Sequence, residues 1–324
     1  MRHSTLRSLS IPLMLLAVCG SVLAQTPLIS VPLQPYGPFY LVDVKINDRG
    51  PFKFVIDSGT TSTFVDVAVV RELGLSADSD ARVAIDALTL GSARFAGVEA
   101  QVLDFDEIWG AGSPSGVLGF DLFGERLVTL DLPLQRLVVR DGALAAPDGQ
   151  EILSYTLQST DDVPGPRRVP TIEIQVAGRS LDVALDPLGF GTLALPKDLM
   201  EQFSLASEAG VIAQDKTRDG VFPILGASLD GSMAIGKHRF DNPSVFFSES
   251  FDRPTLGSGT LEAFVLTFDL GHQRVRIVRP AGRANPLVTR AAALVPQSGE
   301  GHDIRSEFNE NVDRVRLMVL LSPT

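Results

Sequence analysis

The feature that most constrains this fold is an internal repeat. Seven residues between Leu118 and Arg136 recur unchanged 138 positions later, between Leu256 and Arg274. The identical pairs are Leu118 with Leu256, Gly119 with Gly257, Thr129 with Thr267, Asp131 with Asp269, Leu132 with Leu270, Gln135 with Gln273 and Arg136 with Arg274. Identities at one constant offset indicate two copies of one structural unit.

The pattern inside each copy is typical of β-strands. Tyr40–Ile46 and Pro170–Val176 alternate apolar and polar residues, and each is followed by a turn and an apolar run. The first run ends at Asp57 and the second at Asp186. The sequence therefore predicts an all-β fold of two related β-barrel-like lobes with a few short helices, one of them over Val65 to Leu75.

The repeat and the composition together set the domain boundaries. A chain of 324 residues, 44% hydrophobic and 21% charged, has enough apolar material for two modest lobes. We expect a first lobe over 25–145, a partly degenerate second lobe over 146–282 and a C-terminal tail over 283–324. The net charge of −11 argues against nucleic acid as a partner.

The N-terminus has the features of a secretory signal peptide. Arg2 and Arg7 precede the apolar run Ile11–Val18, and Ala24 closes a small-residue cleavage site. The run is too short to span a bilayer, so we expect no stable membrane insertion. Cleavage after residue 24 predicts a mature protein that starts at Gln25 in the periplasm or outside the cell.

The alternative for this segment is a lipid anchor at Cys19, the only cysteine. Val18, directly before it, is larger than the small residue usual at that place. Without Cys19 the mature chain has no thiol, which excludes disulfides and cysteine metal sites. The four histidines show no metal-ligand spacing, so we expect neither a metal nor a cofactor.

A motif with chemical meaning follows the first apolar run. Phe54–Ile56 lead into Asp57, and the next three residues are Ser58, Gly59 and Thr60. About 60 residues later comes the segment Gly116–Gly119, with the sequence GVLG. This combination resembles the aspartic peptidases, most closely the bacterial retropepsin-like group, with the two-lobed pepsin-like enzymes as wider relatives.

The resemblance implies an acid-protease-like fold and a role for each residue of the motif. In that family each lobe contributes one aspartate, and the two meet where the lobes join. Asp57 would then be one catalytic aspartate and Asp186 its partner. The residues that the resemblance implies as the turn and its support are Ser58, Gly59, Thr60, Gly116 and Gly119.

The second lobe departs from the family pattern. With Thr63 aligned on Thr192, Asp186 falls on Asp57, but Pro187 and Leu188 replace the serine and the glycine. Proline lacks a hydroxyl and an N–H, and leucine does not readily adopt a positive φ. We therefore expect a distorted turn, and we expect activity to rise if Pro187→Thr and Leu188→Gly restore it.

The flap, the segment that covers the substrate cleft in the pepsin-like enzymes, also differs in this sequence. Between Leu75 and Trp109 there is no tyrosine, so the flap tyrosine of that family has no counterpart. The sequence predicts a shorter flap, around Ala87 to Phe95.

Three functions remain open from the sequence. The first is an exported aspartic-type endopeptidase that cleaves peptides or unfolded proteins as a monomer. The second is a catalytically degenerate peptide-binding module of the same fold. The third is a homodimer in which two first lobes pair and two copies of Asp57 form the site.

Overall fold

The fold consists mainly of β-strands. A computed structural model describes residues 28–36, 39–60, 62–109, 112–160, 167–217 and 220–280. Within these residues the helices are short and the strands form three sheets. The predicted all-β class with two barrel-like lobes is confirmed.

The first half of the chain contains ten strands, two short α-helices and one 3₁₀ helix among its described residues. They are β1 (Ile29–Pro32), β2 (Gln34–Tyr36), β3 (Phe39–Ile46), β4 (Arg49–Asp57), β5 (Thr63–Asp66), α1 (Val67–Leu73), β6 (Arg82–Leu90), β7 (Ala93–Leu103), α2 (Phe105–Trp109), β8 (Gly116–Gly119), the 3₁₀ helix Phe120–Phe123, β9 (Leu127–Asp131) and β10 (Arg136–Arg140).

The second half continues with strands and contains one 3₁₀ helix and one short α-helix among its described residues. Its elements are β11 (Ile152–Ser154), β12 (Thr156–Thr160), β13 (Arg167–Val176), β14 (Arg179–Leu185), β15 (Leu193–Pro196), the 3₁₀ helix Lys197–Gln202, β16 (Gly210–Thr217), β17 (Gly220–Ser228), β18 (Ser232–Ile235), β19 (His238–Asp241), β20 (Ser244–Ser248), β21 (Thr255–Leu256), α3 (Ser258–Leu261), β22 (Val265–Asp269) and β23 (Arg274–Val278).

The predicted helix after the first motif is present but shorter than expected. It runs over Val67–Leu73 and is capped at both ends by local chemistry. The side chain of Asp66 accepts a hydrogen bond from the Ala68 N–H, and Gly74 ends the helix in the left-handed conformation with φ 68°.

The first lobe is a seven-stranded sheet in the order β2-β3-β4-β8-β5-β7-β6, which closes because β3 also pairs with β6. The second lobe is built in the same way around β13, β14, β21 and β15. In each lobe the strand that ends at the motif runs parallel to a short crossing strand, which pairs antiparallel with the strand after the turn.

A third sheet joins the two lobes, in the order β1-β10-β9-β22-β23-β11. Its central pair, β9 and β22, contains the repeated segments, one from each half. Beneath it, Phe120 packs edge-on against Phe268, with ring centroids 5.3 Å apart. The main apolar core therefore continues from one lobe into the other.

The flap predicted around Ala87 to Phe95 is wrong. Ala87, Leu88, Leu90 and Ala93 are all buried, and Leu88 and Leu90 lie opposite residues of β3. A hairpin whose apolar face is buried in the core and whose strand β6 is paired with β3 cannot swing over a cleft. The apolar residues of this segment therefore build the closing wall of the first barrel.

The hairpin that projects in the described chain belongs to the second lobe. It consists of β16 and β17, and only Leu225–Ser228 of β17 pair with β20. The outer part, 220–224, pairs with β16 alone. Val211 and Val221 are exposed on it, at 53% and 57%.

The predicted boundary between the lobes, 145/146, falls in the connection between β10 and β11. The main chain of that connection is held to the second lobe, because the Leu144 N–H donates to Asp269 Oδ2 at 2.8 Å. The predicted signal peptide, Cys19 and the predicted tail 283–324 lie outside the described residues. No helix of the described part is long and apolar enough to cross a membrane.

Candidate active site

The first motif sits at the end of a buried strand. Ile56 and Asp57 of β4 lie beside Leu118 and Gly119 of β8, in parallel register. Asp57 is only 9% exposed, and Ser58 and Thr60 are buried with it. The crossing segment Gly116–Gly119 therefore lies directly alongside the strand that presents the carboxylate.

Gly119 is required by close packing at this crossing. A Cβ there would lie 2.6 Å from the Ser62 carbonyl oxygen, well inside van der Waals contact. A main-chain hydrogen bond holds the two segments together at this point, because the Phe120 N–H donates to the Thr60 carbonyl at 3.1 Å. The glycine lets the two segments approach closely enough for this hydrogen bond.

The Asp57 carboxylate is oriented by the turn that follows it. The Gly59 N–H donates to Asp57 Oδ1 at 2.7 Å, within a normal hydrogen-bond range. Thr60 fixes the next step, because its Oγ1 accepts from the Ser62 N–H at 3.2 Å. The predicted residues Ser58, Gly59 and Thr60 thus lie in one turn, which the Gly59 and Thr60 hydrogen bonds stabilise.

The second motif has the same construction in the second lobe. Leu185, the last residue of β14, lies beside Leu256 of β21, and the Asp186 N–H donates to the Leu256 carbonyl at 3.1 Å. The Leu188 N–H donates to Asp186 Oδ1 at 2.9 Å. Asp186 is half-buried.

The expected distortion of the second turn is therefore absent at the carboxylate. Leu188 supplies from its main chain the hydrogen bond that Gly59 supplies in the first lobe, and Pro187 stands where no N–H is needed. Leu188 is not among the described residues with positive φ; the left-handed conformation falls on Gly191, at φ 65°. Position 188 therefore does not need a glycine, because the left-handed conformation is taken by Gly191.

The two turns touch in the same chain. Ser58 Oγ donates to the carbonyl oxygen of Leu185, the residue directly before Asp186, at 3.5 Å and out of contact with solvent. The two oxygens are farther apart than in a normal O–H···O hydrogen bond, so this is a long, weak hydrogen bond. The contact places the turn of Asp57 directly against the strand end that carries Asp186.

Comparison with known proteins agrees with this arrangement for the first lobe. Residues 42–122 match the family described as "Aspartyl protease". The resemblance to the aspartic peptidases is confirmed. The matched segment contains Asp57 and the crossing segment Gly116–Gly119, and it ends before the second motif.

Among solved structures, the chain is similar to a retropepsin-like aspartic protease from Rickettsia conorii. The two sequences are 19% identical, the TM-score is 0.28, and the match covers 39% of this chain and 87% of the other. No curated protein matches the chain. The family match supports aspartic protease activity.

Asp121 is a further acidic group beside the first motif that the sequence did not single out. Its Oδ1 lies 2.7 Å from where a Cβ of Gly119 would stand. The residue as a whole is exposed, but its carboxyl packs on the main chain of the crossing segment. Burial of the carboxyl raises the pKa of Asp121 to about 6, against an opposing effect of nearby main-chain N–H groups.

The other contributors that sequence analysis missed are the Leu185 carbonyl and the Leu188 side chain. A main-chain carbonyl leaves no signal in the residue type, since every residue has one. Leu188 did carry a signal, because it is a leucine where the aspartyl protease pattern has glycine. That signal was interpreted as a distorted turn rather than as a contact made by the leucine side chain.

Among the residues that the structure describes, no group of three or more histidine, cysteine, aspartate or glutamate side chains is placed to hold an ion.

Proposed function

We propose that this protein is an exported aspartic-type endopeptidase whose two catalytic carboxylates, Asp57 and Asp186, belong to one chain. The single observation that carries the proposal is the hydrogen bond from Ser58 to Leu185, between residues 127 positions apart. It joins two strand ends that each present an aspartate. Each aspartate accepts a hydrogen bond from the N–H two residues later.

The proposed chemistry requires the two carboxyl groups to lie close together. Two carboxylates about 3 Å apart cannot both ionise, so they share one proton and titrate as a pair. The charged member takes a proton from a water held between them, while the protonated member donates to the carbonyl oxygen of the peptide. The water oxygen attacks the carbonyl carbon, and no cofactor takes part.

A site within one chain is favoured over a homodimer of first lobes. In such a dimer a second copy of Ser58 and Asp57 would occupy the place that Leu185 and Asp186 occupy here. The second lobe of the same chain already occupies that place, and the two halves are also joined by the pairing of β9 with β22 along Leu127–Asp131. We therefore propose a monomer.

The decisive experiment uses the mature protein from Gln25 onward and an unfolded protein substrate. Cleavage is followed between pH 3 and 7 with and without an inhibitor that mimics the tetrahedral intermediate of aspartic peptidases. We expect cleavage that the inhibitor suppresses. Absence of cleavage at every pH would overturn the proposal.

The second candidate is a peptide-binding module that has lost turnover. The observation in its favour is that only one of the two turns donates a hydrogen bond to the other. Ser58 donates to the second lobe, whereas Pro187, at the equivalent position, has no hydroxyl with which to donate to the first. Such a protein would bind the inhibitor and leave the substrate intact. Inhibitor binding measured by calorimetry, with no cleavage, would favour this candidate.

Export and duplication complete the proposal. The basic start, apolar run and Ala24 support cleavage before Gln25 and a periplasmic or secreted protein. N-terminal sequencing of the exported protein would test this, and a lipid-modified Cys19 would show the anchor instead.

Seven identities at one offset, together with equal strand pairing in the two lobes, support an origin by duplication.

A further inference from the structure

We infer that Leu188 is a positioning residue, which holds the turn of Asp186 against the first lobe through an apolar contact. The inference rests on the proposed function, and it concerns a position where the chain departs from the family pattern. Its starting point is a small apolar cluster in the first lobe, separate from the main core.

The cluster lies where the two lobes meet. Its buried members are Leu41, Val55, Phe64, Phe105 and Val117. The partly buried residues on it are Phe39, Leu103, Ile108 and Leu188. All of these except Leu188 belong to the first lobe, so the Leu188 side chain crosses the boundary between the lobes.

The cluster is tied to the strands that present Asp57. Val55 lies two residues before Asp57 in β4, and Val117 pairs with Val55 in β8. Leu188 also packs on the main core. Its side chain is therefore fixed from two sides, and one of them is the support of the first aspartate.

The main chain of the same residue holds the second aspartate. The Leu188 N–H donates to Asp186 Oδ1 at 2.9 Å. A side chain anchored in the first lobe thus sets the position of the N–H that orients the carboxylate of the second lobe. Pro187 cannot donate the hydrogen bond that Ser58 donates from the first lobe, and this apolar contact takes its place.

The inference reverses the expectation drawn from the sequence. A glycine at position 188 would keep the N–H and lose the anchor, so Leu188→Gly should lower activity rather than raise it. Misplacement of a catalytic group by about 1 Å costs roughly a hundredfold in rate. We expect Leu188→Ala to lower kcat about ten- to a hundredfold, with KM changed less than about threefold.

The test compares Leu188→Ala, Leu188→Val and Leu188→Met with a matched control, Leu199→Ala. Leu199 is likewise partly buried against the main core, but it lies outside the cluster between the lobes. For each variant kcat, KM and the pH profile of kcat are measured, with the folded fraction from circular dichroism. We expect Leu188→Met to keep most of the wild-type kcat and Leu188→Val to lose part of it.

The outcomes separate the inference from the proposed function. Because Asp186 orientation sets how the two carboxylates share a proton, Leu188→Ala and Leu188→Val should also shift the pH profile. If the wild type cleaves substrate and kcat per folded molecule in both variants matches that of Leu199→Ala, the inference alone is overturned. If the wild type does not cleave at all, the proposed function fails and the positioning role fails with it.

Discussion

Thr129 and Thr267 occupy equivalent positions of the repeat and lie directly opposite each other in the pair β9–β22, with their hydroxyl oxygens 3.0 Å apart. Each of these two threonines is thus paired with its own counterpart, which places a local two-fold axis between them. The register follows from this, since equal numbers of residues pair on either side. The relation explains how the interlobe sheet brings equivalent ends of the two lobes together.

The hydrogen bond between Thr129 and Thr267 should be measurable as a coupling energy. Valine has the shape of threonine without the hydroxyl, and a net hydrogen bond contributes about 1 kcal/mol. We expect Thr129→Val, Thr267→Val and the double variant each to lose about 1 kcal/mol in urea unfolding, because one bond is lost in all three. As a control, the losses in free energy of unfolding caused by Thr129→Val and Thr89→Val should add when the two substitutions are combined.

Asp57→Asn should abolish cleavage and leave the fold intact. The amide cannot share the proton of the pair, while its oxygen still accepts from the Gly59 N–H, so the turn is kept. Turnover is measured with the thermal unfolding midpoint. Asp131→Asn is the matched control, since Asp131 also accepts a main-chain N–H, from Leu134 at 3.0 Å, away from the motif. Full cleavage by a folded Asp57→Asn variant would remove Asp57 from the mechanism.

Asp186→Asn should be as harmful as Asp57→Asn, and the double variant no worse than either. Residues that act as one unit have effects that do not add, because the first loss already disables the pair. The kcat of the three variants is compared under the same conditions. If Asp186→Asn keeps wild-type turnover, the second carboxylate comes from elsewhere, and the dimer of first lobes becomes the better explanation.

Asp121 should make the protein less stable as the pH rises towards neutral. Burial raises the pKa of its carboxyl in the folded chain to about 6 from 3.8. A raised pKa contributes stability that is complete below the unfolded value and is lost as the pH passes through about 6. We expect Asp121→Asn to flatten the fall of Tm between pH 4 and 7, measured by circular dichroism. An unchanged slope relative to Asp131→Asn would contradict this.

Local pattern was sufficient for the elements that depend on near neighbours. The alternation in β3 and β13, the runs before Asp57 and Asp186, and the helix after the first turn were all predicted from residues close in the chain. Such features follow from side-chain periodicity and capping, which act over a few residues. The flap failed because burial of Leu88 and Leu90 depends on β3, some 40 positions earlier.

The sequence by itself determined the two lobes, their seven shared positions and the two aspartates at matching strand ends, because repetition and periodicity are written in the order of residues. Only the tertiary structure decided how the second turn is held. Ser58 meets Leu185, and Leu188 packs on a cluster that includes Val55 and Val117. Ser58 and Leu185 are more than a hundred residues apart in the chain. These contacts depend on how two folded lobes pack, which no local pattern of residue types specifies.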